Sequence, residues 1–429
     1  MKFNPFRPNG MVGPGMFSGR LPEIKTIEHC LYQAKNGNPV HFLVQGERGI
    51  GKSSLFYLVS LEASGKVPLI DGTKINFLVV SCDLGNAESQ LDIIRALASE
   101  LRQALASHDV LKDSAKGFWN WLTNWEVAGV KFRKEKEEID PAEAANVLVN
   151  EIAKFCLQSA DAIDGVLFLV DEADRPSESA DLGAFCKLFT ERLARRSCNK
   201  VVLGLAGLPP LIQKLRNSHE SSPRIFTTLL LEPLLPTERE SVVESGLRDA
   251  KIKNGYETEI SPDALRMIAE LSEGYPHFIQ QFAYSAFEAD EDNNIETADV
   301  SAGAFEENGA LSQLGQKYFS EMYNSKIASD NYRVVLDTMA KHGDKWVSRK
   351  TIIMESALAH TIVTNALNAL KARNIIFADD SRKGQGYYRL PTRSFAAWIN
   401  AIKSVGAQRG ESLPMQSDGP SDEGAPVER

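Results

Sequence analysis

The sequence is poor in cysteine, and the cysteines it has show no paired spacing. Five occur in 429 residues, and no two of them form a CxxC pair. Zinc sites and disulfide frameworks both need clustered cysteines, so this spacing favours reduced thiols inside a core. We therefore expect a cytoplasmic chain held together by packing. The cysteines are Cys30, Cys82, Cys156, Cys186 and Cys198.

Long apolar runs are also missing. The first residues, MKFNPF, lack the apolar centre of a signal peptide, and no uninterrupted apolar run is long enough to cross a bilayer. The sequence therefore predicts a protein with no membrane partner.

A net positive charge is missing from the chain as a whole, which argues against general coating of nucleic acid. The formal net charge is −9. Residues 311–405, however, hold 14 Lys and Arg against 7 Asp and Glu, a net charge of +7, so the rest carries −16. A basic part on an acidic body indicates a polyanion partner at one location.

The most informative stretch that is present is GERGIGKS, at residues 46–53. It follows the apolar run VHFLV and precedes SLFYLV, which has helical spacing. Strand, glycine-rich loop and helix in this order are the context of a phosphate-binding loop, whose N–H groups surround phosphates. Lys52 is expected to reach the β- and γ-phosphates and Ser53 to hold Mg²⁺. The alternative is a chance match in a loop.

A second motif, VLFLVDEAD at residues 166–174, places two acids at the end of a buried strand. It matches the Walker B pattern that accompanies a phosphate loop. Asp171 is expected to complete the Mg²⁺ shell, and Glu172 to orient and deprotonate an attacking water. The alternative for Asp171 is a helix cap or turn residue. Glu172 favours a hydrolase over a scaffold that only holds nucleotide.

These two motifs predict ATP and Mg²⁺ as ligands. The predicted metal ligands are Ser53 and Asp171, and the catalytic residues of the motifs are Lys52 and Glu172. The predicted nucleotide-binding residues are Gly46, Glu47, Arg48, Gly49, Ile50, Gly51, Lys52, Ser53 and Ser54.

Beyond the motifs, the order of elements indicates four regions. An α/β core with a parallel sheet is predicted for residues 1–235, with an insertion at about 107–140, and a helical lid for residues 236–310. Helix, helix, helix and two strands at residues 311–405 are typical of a winged helix, and residues 406–429 have the composition of a disordered tail.

Phosphate loop, acid pair, helical lid and winged helix together resemble the AAA+ superfamily of P-loop ATPases, in particular the origin-recognition-like and STAND-like ATPases. The resemblance covers roughly the first 400 residues. It implies a P-loop NTPase core with ATP between core and lid, and places FSGR, residues 17–20, beside the adenine. The alternative for this stretch is a helix cap region.

The resemblance also implies roles for three less certain positions. Arg224 is the first candidate for a finger that reaches a neighbour's γ-phosphate and Arg216 the second, although a surface arginine is an equal alternative. His277 stands where relatives carry an arginine facing the γ-phosphate; it either donates to phosphate or caps the helix. Where the family places a polar sensor residue, this chain has Ala206-Gly207.

The predicted third helix of the winged helix, Leu358 to Ala372, has a polar face suited to reading a DNA groove, and the wing tip carries Arg382 and Lys383 for phosphate contact. The alternative is that the winged helix contacts a protein instead of DNA. The polar-face residues are Thr361, Thr364, Asn365, Asn368 and Lys371.

The resulting hypothesis is an ATP-hydrolysing nucleotide switch that loads on, remodels or senses double-stranded DNA, as a homo-oligomer or with a protein partner. The alternative is a STAND-type signalling ATPase, for example in phage or mobile-element defence, whose winged helix binds a protein.

Overall fold

The computed structural model describes residues 2–107, 111, 140–306, 308–320, 323–324, 327, 329–343, 345–373, 375–379 and 386–409, with side chains through 403. Most of the predicted insertion, the wing-tip pair Arg382 and Lys383, and all but the start of the predicted tail lie outside the described residues. The chain divides into two compact units, Met1–Tyr284 and Ser285–Arg429. The domain boundaries expected from the sequence stay predictions.

The first unit contains the predicted parallel sheet, whose five strands have the order β2-β3-β4-β1-β5. The strand before the glycine-rich loop, β1, is therefore separated by β4 from β3, which carries the acid pair. The strands are β1 (His41–Gln45), β2 (Phe77–Asp83), β3 (Gly165–Asp171), β4 (Val201–Gly207) and β5 (Phe226–Leu230).

Helices cover both faces of this sheet, which explains why its strands read as continuous apolar runs. Phe42 is buried on the face covered by α1 and α2, and Phe168 on the face covered by α3, α4 and α5. These helices are α1 (Leu21–Lys35), α2 (Lys52–Ala63), α3 (Gln90–Ala106), α4 (Pro141–Gln158) and α5 (Leu182–Arg195).

The rest of the first unit is mostly helical. The helix that begins at Pro236 continues through polar C-terminal turns to a left-handed Gly255, which ends it. The elements are α6 (Leu211–Ser218), α7 (Pro236–Asn254), β6 (Glu259–Ile260), α8 (Pro262–Ser272) and α9 (Pro276–Ala289), which crosses the division between the units.

Residues 2–20, here called the N-terminal arm, pack on α7 and α9. The side chain of Phe6 is 3% exposed and lies against Gly246, where a Cβ atom would come within 2.3 Å of the ring. Asn254 exchanges two hydrogen bonds with the backbone of Phe3, and Gln280 Oε1 accepts from the N–H of Arg7 at 2.8 Å. These contacts hold the arm on α7 and α9.

The second unit contains the predicted winged helix: three helices and an antiparallel sheet of order β8-β10-β9, in which β8 lies between the first two helices in the chain. The two-residue strand β8 and the last helix were not predicted. In chain order the elements are β7 (Asn294–Ile295), α10 (Thr297–Phe305), α11 (Ala310–Leu314), a π-helical turn (Gly315–Phe319), α12 (Asp330–Ala340), β8 (Val347–Ser348), α13 (Arg349–Ser356), α14 (His360–Ala372), β9 (Phe377–Ala378), β10 (Tyr387–Arg389) and α15 (Arg393–Arg409).

The third winged-helix helix, α14, has the predicted polar face. Its apolar face contains the buried Val363, Ala366 and Leu370, whereas Ile362 is only half-buried. Thr364 is half-buried and donates to the carbonyl of His360 at 2.9 Å. The exposed residues on this helix include Thr361, Asn365, Asn368 and Lys371.

Candidate functional site

The glycine-rich stretch forms a loop from β1 to α2 that turns on two glycines. Gly49 has φ 79° and Gly51 has φ 98°, values that favour a residue without a Cβ atom. Lys52 is the first residue of α2. N–H groups at the start of a helix lack partners within the helix and carry partial positive charge. The loop therefore offers a site for an anion.

The side chain of Lys52 lies against this loop. Its Nζ donates hydrogen bonds to the carbonyl oxygens of Gly46 at 2.8 Å and Glu47 at 3.0 Å. Burial lowers the pKa of Lys52, while the carboxylates of Asp171 and Asp174 act in the opposite direction. The ammonium group is thus held at the position where loop and acids meet.

Asp171, the last residue of β3, faces the first turn of α2. The hydroxyl of Ser53 donates a 2.5 Å hydrogen bond to Asp171 Oδ2, and Asp171 Oδ1 accepts from the N–H of Glu172 at 2.8 Å. Parallel strands bring their carboxyl ends to one edge of the sheet. A hydroxyl and a carboxylate oxygen in contact are ligands that Mg²⁺ prefers, so this donor set fits a magnesium ion.

Glu172 follows in an uncommon backbone conformation. Its φ is 50°, in the left-handed region that a residue with a side chain adopts infrequently. Its carboxylate Oε2 forms an ion pair with Arg175 Nη1 at 2.8 Å. The glutamate is one of the predicted catalytic residues, whereas this arginine, three residues further along, is not among the predicted site residues.

A cavity of about 540 Å³ brings the two motifs together, a volume within the range of small-molecule sites. Its walls come from the N-terminal arm, the glycine-rich loop, the residues after β3 and the start of α9. The predicted site residues that line it are Arg48, Gly49, Ile50, Gly51, Lys52, Ser53, Ser54, Asp171, Glu172 and His277.

His277 lies in the first turn of α9, directly against the loop. Its backbone N–H donates to the carbonyl of Gly49 at 3.2 Å, and the ring of Pro276 comes within 3.6 Å of a Cβ built on Gly51. This packing fits a role in supporting the loop, and the position of His277 in the cavity wall fits a phosphate contact. Donation to phosphate and capping of the helix, the two alternatives for His277 from the sequence, both stay predictions.

Arg224 and Arg216 lie outside this set. Arg224 is exposed on the 3-10 turn Ser222–Ile225 that precedes β5, and Arg216 is exposed on α6. Neither is among the described residues that line the cavity of their own chain. Either arginine is therefore placed to act on another molecule or to remain a surface residue.

Asp174, which is not among the predicted site residues, lies beside the end of β4. Its Oδ1 accepts from the N–H of Leu208 at 2.9 Å, and a Cβ on Gly207 would lie 2.7 Å from that same oxygen. A larger residue at position 207 would displace the carboxylate. Gly207, at the position where the resemblance implies a polar sensor residue, thus makes room for the carboxylate of Asp174 from the loop after β3. Asp174 also lines the cavity.

The N-terminal arm contributes more of the wall than expected. Phe17, Ser18 and Arg20 line the cavity, and so do residues 7–12 and Met16; a position of residues 17–20 beside the adenine stays a prediction. Arg20 is 8% exposed, its Nη2 donates to the carbonyl of Ile50 at 3.4 Å, and burial lowers its pKa. Residues 7–12 have no periodic pattern that could have indicated this position.

No group of three or more His, Cys, Asp or Glu side chains in the described part of the chain is arranged to hold a metal by itself, so a magnesium ion here would also need ligands from nucleotide or water. None of the helices described there is both long and apolar enough to span a membrane.

Comparison with known proteins agrees with this geometry. A family model described as an AAA ATPase domain matches residues 17–202. An uncharacterised HTH-type transcriptional regulator of Methanocaldococcus jannaschii is 24% identical over 291 residues, which are 65% of this chain and 65% of that protein. The chain thus spans just under two thirds of the length of this relative.

Among solved structures, the Aeropyrum pernix ORC2 protein in ADPNP–ADP complexes matches with a TM-score of 0.52 and 14% identity, over 95% of this chain and 98% of that one. The CDC6P protein of Pyrobaculum aerophilum matches with a TM-score of 0.43 and 13% identity, over 94% and 98% of the two chains. At 14% identity, the match to the ORC2 protein shows a similar fold and no more.

Proposed function

We propose that this chain is an AAA+ P-loop ATPase with the fold of origin-recognition proteins, since a family model described as an AAA ATPase domain matches residues 17–202. The proposed reaction is the Mg²⁺-dependent hydrolysis of ATP to ADP and phosphate. The observation that carries it is the contact of Ser53 with Asp171, beside Glu172, in the wall of one cavity.

Each residue of this site has a proposed task. The loop N–H groups and Lys52 bind the phosphates, and Ser53 and Asp171 hold the metal. A magnesium ion bound there would neutralise charge on the phosphate oxygens. Glu172 orients a water molecule and accepts its proton. The ion pair with Arg175 holds the carboxylate of Glu172 at the cavity wall.

Calorimetry and phosphate release test this assignment. With Mg²⁺ present, Glu172→Gln should bind ATP as the native protein does but lose roughly 10²- to 10⁴-fold in turnover, the usual contribution of a general base. Lys52→Ala should lose nucleotide binding, because the phosphates lose their cation. Glu178→Gln, an exposed acid nearby, is the matched control. Normal turnover by Glu172→Gln would show that another residue is the base.

We further propose that the protein binds double-stranded DNA through α14. Its exposed Asn365, Asn368 and Lys371 support this, since amide side chains read adenine edges and lysine pairs with phosphate. The net charge of +7 over residues 311–405 supports it too, as does the name of the HTH-type relative. Hydrolysis at the cavity would then be coupled to the DNA-bound state.

Duplex binding and DNA-stimulated hydrolysis test the second proposal. Lys371→Ala should weaken duplex binding in fluorescence anisotropy and reduce the salt dependence of log Kd by about one unit, as for one lost phosphate contact. Lys251→Ala, an exposed lysine of the first unit, is the control. Absence of duplex affinity at low salt, with ATP binding intact, would reject DNA and leave a protein as the partner of the winged helix.

A further inference from the structure

The winged-helix sheet carries a row of three side chains that neither proposal uses. The guanidinium carbon of Arg389 lies 5.3 Å from the ring centroid of Trp346 and 5.4 Å from that of Phe377. Arg389 is on the central strand, β10, and Phe377 is its partner on β9. Trp346 precedes β8, whose Val347 is paired with Tyr388. The row extends from the residue before β8 across β10 to β9, and we call Trp346, Arg389 and Phe377 the wing face.

The wing face lies opposite the packed side of the sheet. Successive residues of a strand point to opposite faces, and the residues next to the row are the buried ones: Tyr388 is 9% exposed and Val347 is 5% exposed. Trp346 and Phe377, in contrast, are 42% and 46% exposed. Two aromatic rings that could have packed inward are held outward, on either side of a cation.

We propose that the wing face binds unpaired bases of single-stranded nucleic acid, with bases stacked on Trp346 and Phe377 and Arg389 between them. Every base offers a flat π-face, and aromatic side chains within a basic surface are how proteins bind single strands without reading their sequence. In a duplex these base faces are already stacked on one another, so the ring surfaces fit only unpaired bases.

Charge favours a nucleic acid over a protein at this surface. The row contains an arginine and no acid, the exposed Lys345 adjoins Trp346, and residues 311–405 have a net charge of +7. Arginine also stacks on aromatic rings and bases while it pairs with phosphate. This surface differs from the exposed side of α14 and requires neither ATP nor a duplex, so the inference goes beyond the proposed function.

The test measures how the full-length protein binds a fluorescent single-stranded oligothymidine and a duplex of equal length, by anisotropy at low salt. Trp346→Ala should weaken single-strand binding roughly 5- to 150-fold, the effect of losing one stacked base. Trp346→Phe, which keeps a flat ring, should retain most of the affinity. Phe377→Ala should resemble Trp346→Ala, and duplex binding should change less than about twofold throughout, since no base stacks there.

Two controls separate stacking from folding. Met354→Ala removes an exposed apolar side chain of α13 from the same unit, 72% exposed, and should leave single-strand binding unchanged. Preserved thermal unfolding and duplex binding show that a variant is folded. Quenching of tryptophan fluorescence by oligothymidine should be smaller for Trp346→Phe than for the native chain, because Trp346 is the reporter in contact with the base.

The outcomes discriminate among the proposals. If the duplex binds but oligothymidine does not, or if Trp346→Ala binds both as well as the native chain does, the wing face is not a single-strand site and the duplex proposal stands. If neither binds, both DNA proposals fail. If Trp346→Ala instead abolishes self-association with oligothymidine binding unaffected, the wing face is a protein contact and the inference is overturned.

Discussion

At the scale of single residues, the clearest prediction concerns Glu62 of α2, the helix that follows the glycine-rich loop. Glu62 is 4% exposed, and burial, with a smaller effect of Glu28, raises its pKa to about 7. The folded state therefore binds more protons than the unfolded state between about pH 4.5 and about pH 7. Stability from this group is complete below that window and is lost as the pH rises through it.

Glu62→Gln should therefore stabilise the protein at pH 8, by on the order of 1–2 kcal/mol, and the gain should disappear at pH 4.5. Chemical unfolding of both proteins across this range measures it. Buried His41, whose pKa is lowered to about 4, has the opposite pH dependence, but it is present in both proteins and cancels in the difference. An equal gain at both pH values would mean that Glu62 does not titrate in the folded state.

Asp174 carries the second prediction at this scale. Asp174→Ala removes the carboxylate held by Leu208 at the end of β4, and Gly207→Ala displaces that carboxylate by contact. Both changes should lower kcat on the order of tenfold or more through misplacement of the cavity wall. ATP affinity should change little, because the phosphate loop is untouched. Asp174→Asn, which keeps an acceptor for Leu208, should recover part of the rate.

The outcome of these variants has a direct interpretation. Rates near the native value in both Asp174→Ala and Gly207→Ala would reduce Asp174 to a packing residue. A slow Asp174→Ala with a native-like Gly207→Ala would mean that the carboxylate tolerates a shift in position. Turnover is compared with that of Glu178→Ala, an exposed acid in the same segment.

The residues of the two motifs could be identified from the sequence because each motif is a local pattern with a fixed spacing. Residues 46–53 and 166–174 need only their own neighbours to be recognised, and the structure brings them together as expected. No local motif of this kind indicates the contact of Asp174 with Gly207 or the ion pair of Arg175 with Glu172. The first pair joins the loop after β3 to the end of β4, and the second is an ion pair between two side chains of that same loop.

At the scale of elements, the N-terminal arm offers a test of how the cavity is held closed. Phe6→Ala removes the ring that packs against Gly246, and truncating a buried aromatic side chain costs about 3–5 kcal/mol of packing. The arm should then detach from α7, so that residues 7–12 no longer form a wall of the cavity. A fluorescent ATP analogue should dissociate about tenfold faster or more in stopped-flow measurements.

Substitution of an exposed aromatic residue supplies the control for the arm. Tyr32→Ala changes a half-exposed ring of α1 that is not among the described residues lining the cavity, so nucleotide release should match the native protein. Unchanged release from Phe6→Ala, in a variant whose global stability is also unchanged, would mean that the arm does not retain nucleotide.

Elements with a long periodic pattern were predicted closely, and short or polar ones were not. The helices Leu182–Arg195 and Pro276–Ala289 are long enough to show apolar spacing, and the second begins at a proline. The strand β8 has only two residues, Val347–Ser348, too few to show alternation. It is recognised only through its pairing with β10, which the local sequence does not report.

At the scale of the whole molecule, the parallel sheet and the winged helix followed from the succession of elements, whereas the strand order did not. Placing β4 between β1 and β3 depends on crossovers that bury both faces of the sheet. Charge also acts at this scale: −16 outside residues 311–405 and +7 within them keep a polyanion away from most of the surface.

The last prediction concerns assembly. Arg224 is exposed and is not among the described residues lining its own chain's cavity, so a catalytic role requires a second copy of the chain. If sites are shared, Arg224→Ala should lose roughly 10³- to 10⁵-fold in turnover, as for other arginine fingers. An equal mixture of Arg224→Ala and Glu172→Gln chains should recover about a quarter of native turnover by random pairing, because one interface in four then joins an intact Arg224 to an intact Glu172.

The measurement is phosphate release under conditions where sizing shows an assembly with ATP, and Arg216→Ala in the same mixture tests the second candidate. No recovery in a mixture that does assemble would make Arg224 a surface residue and leave each cavity to work on its own.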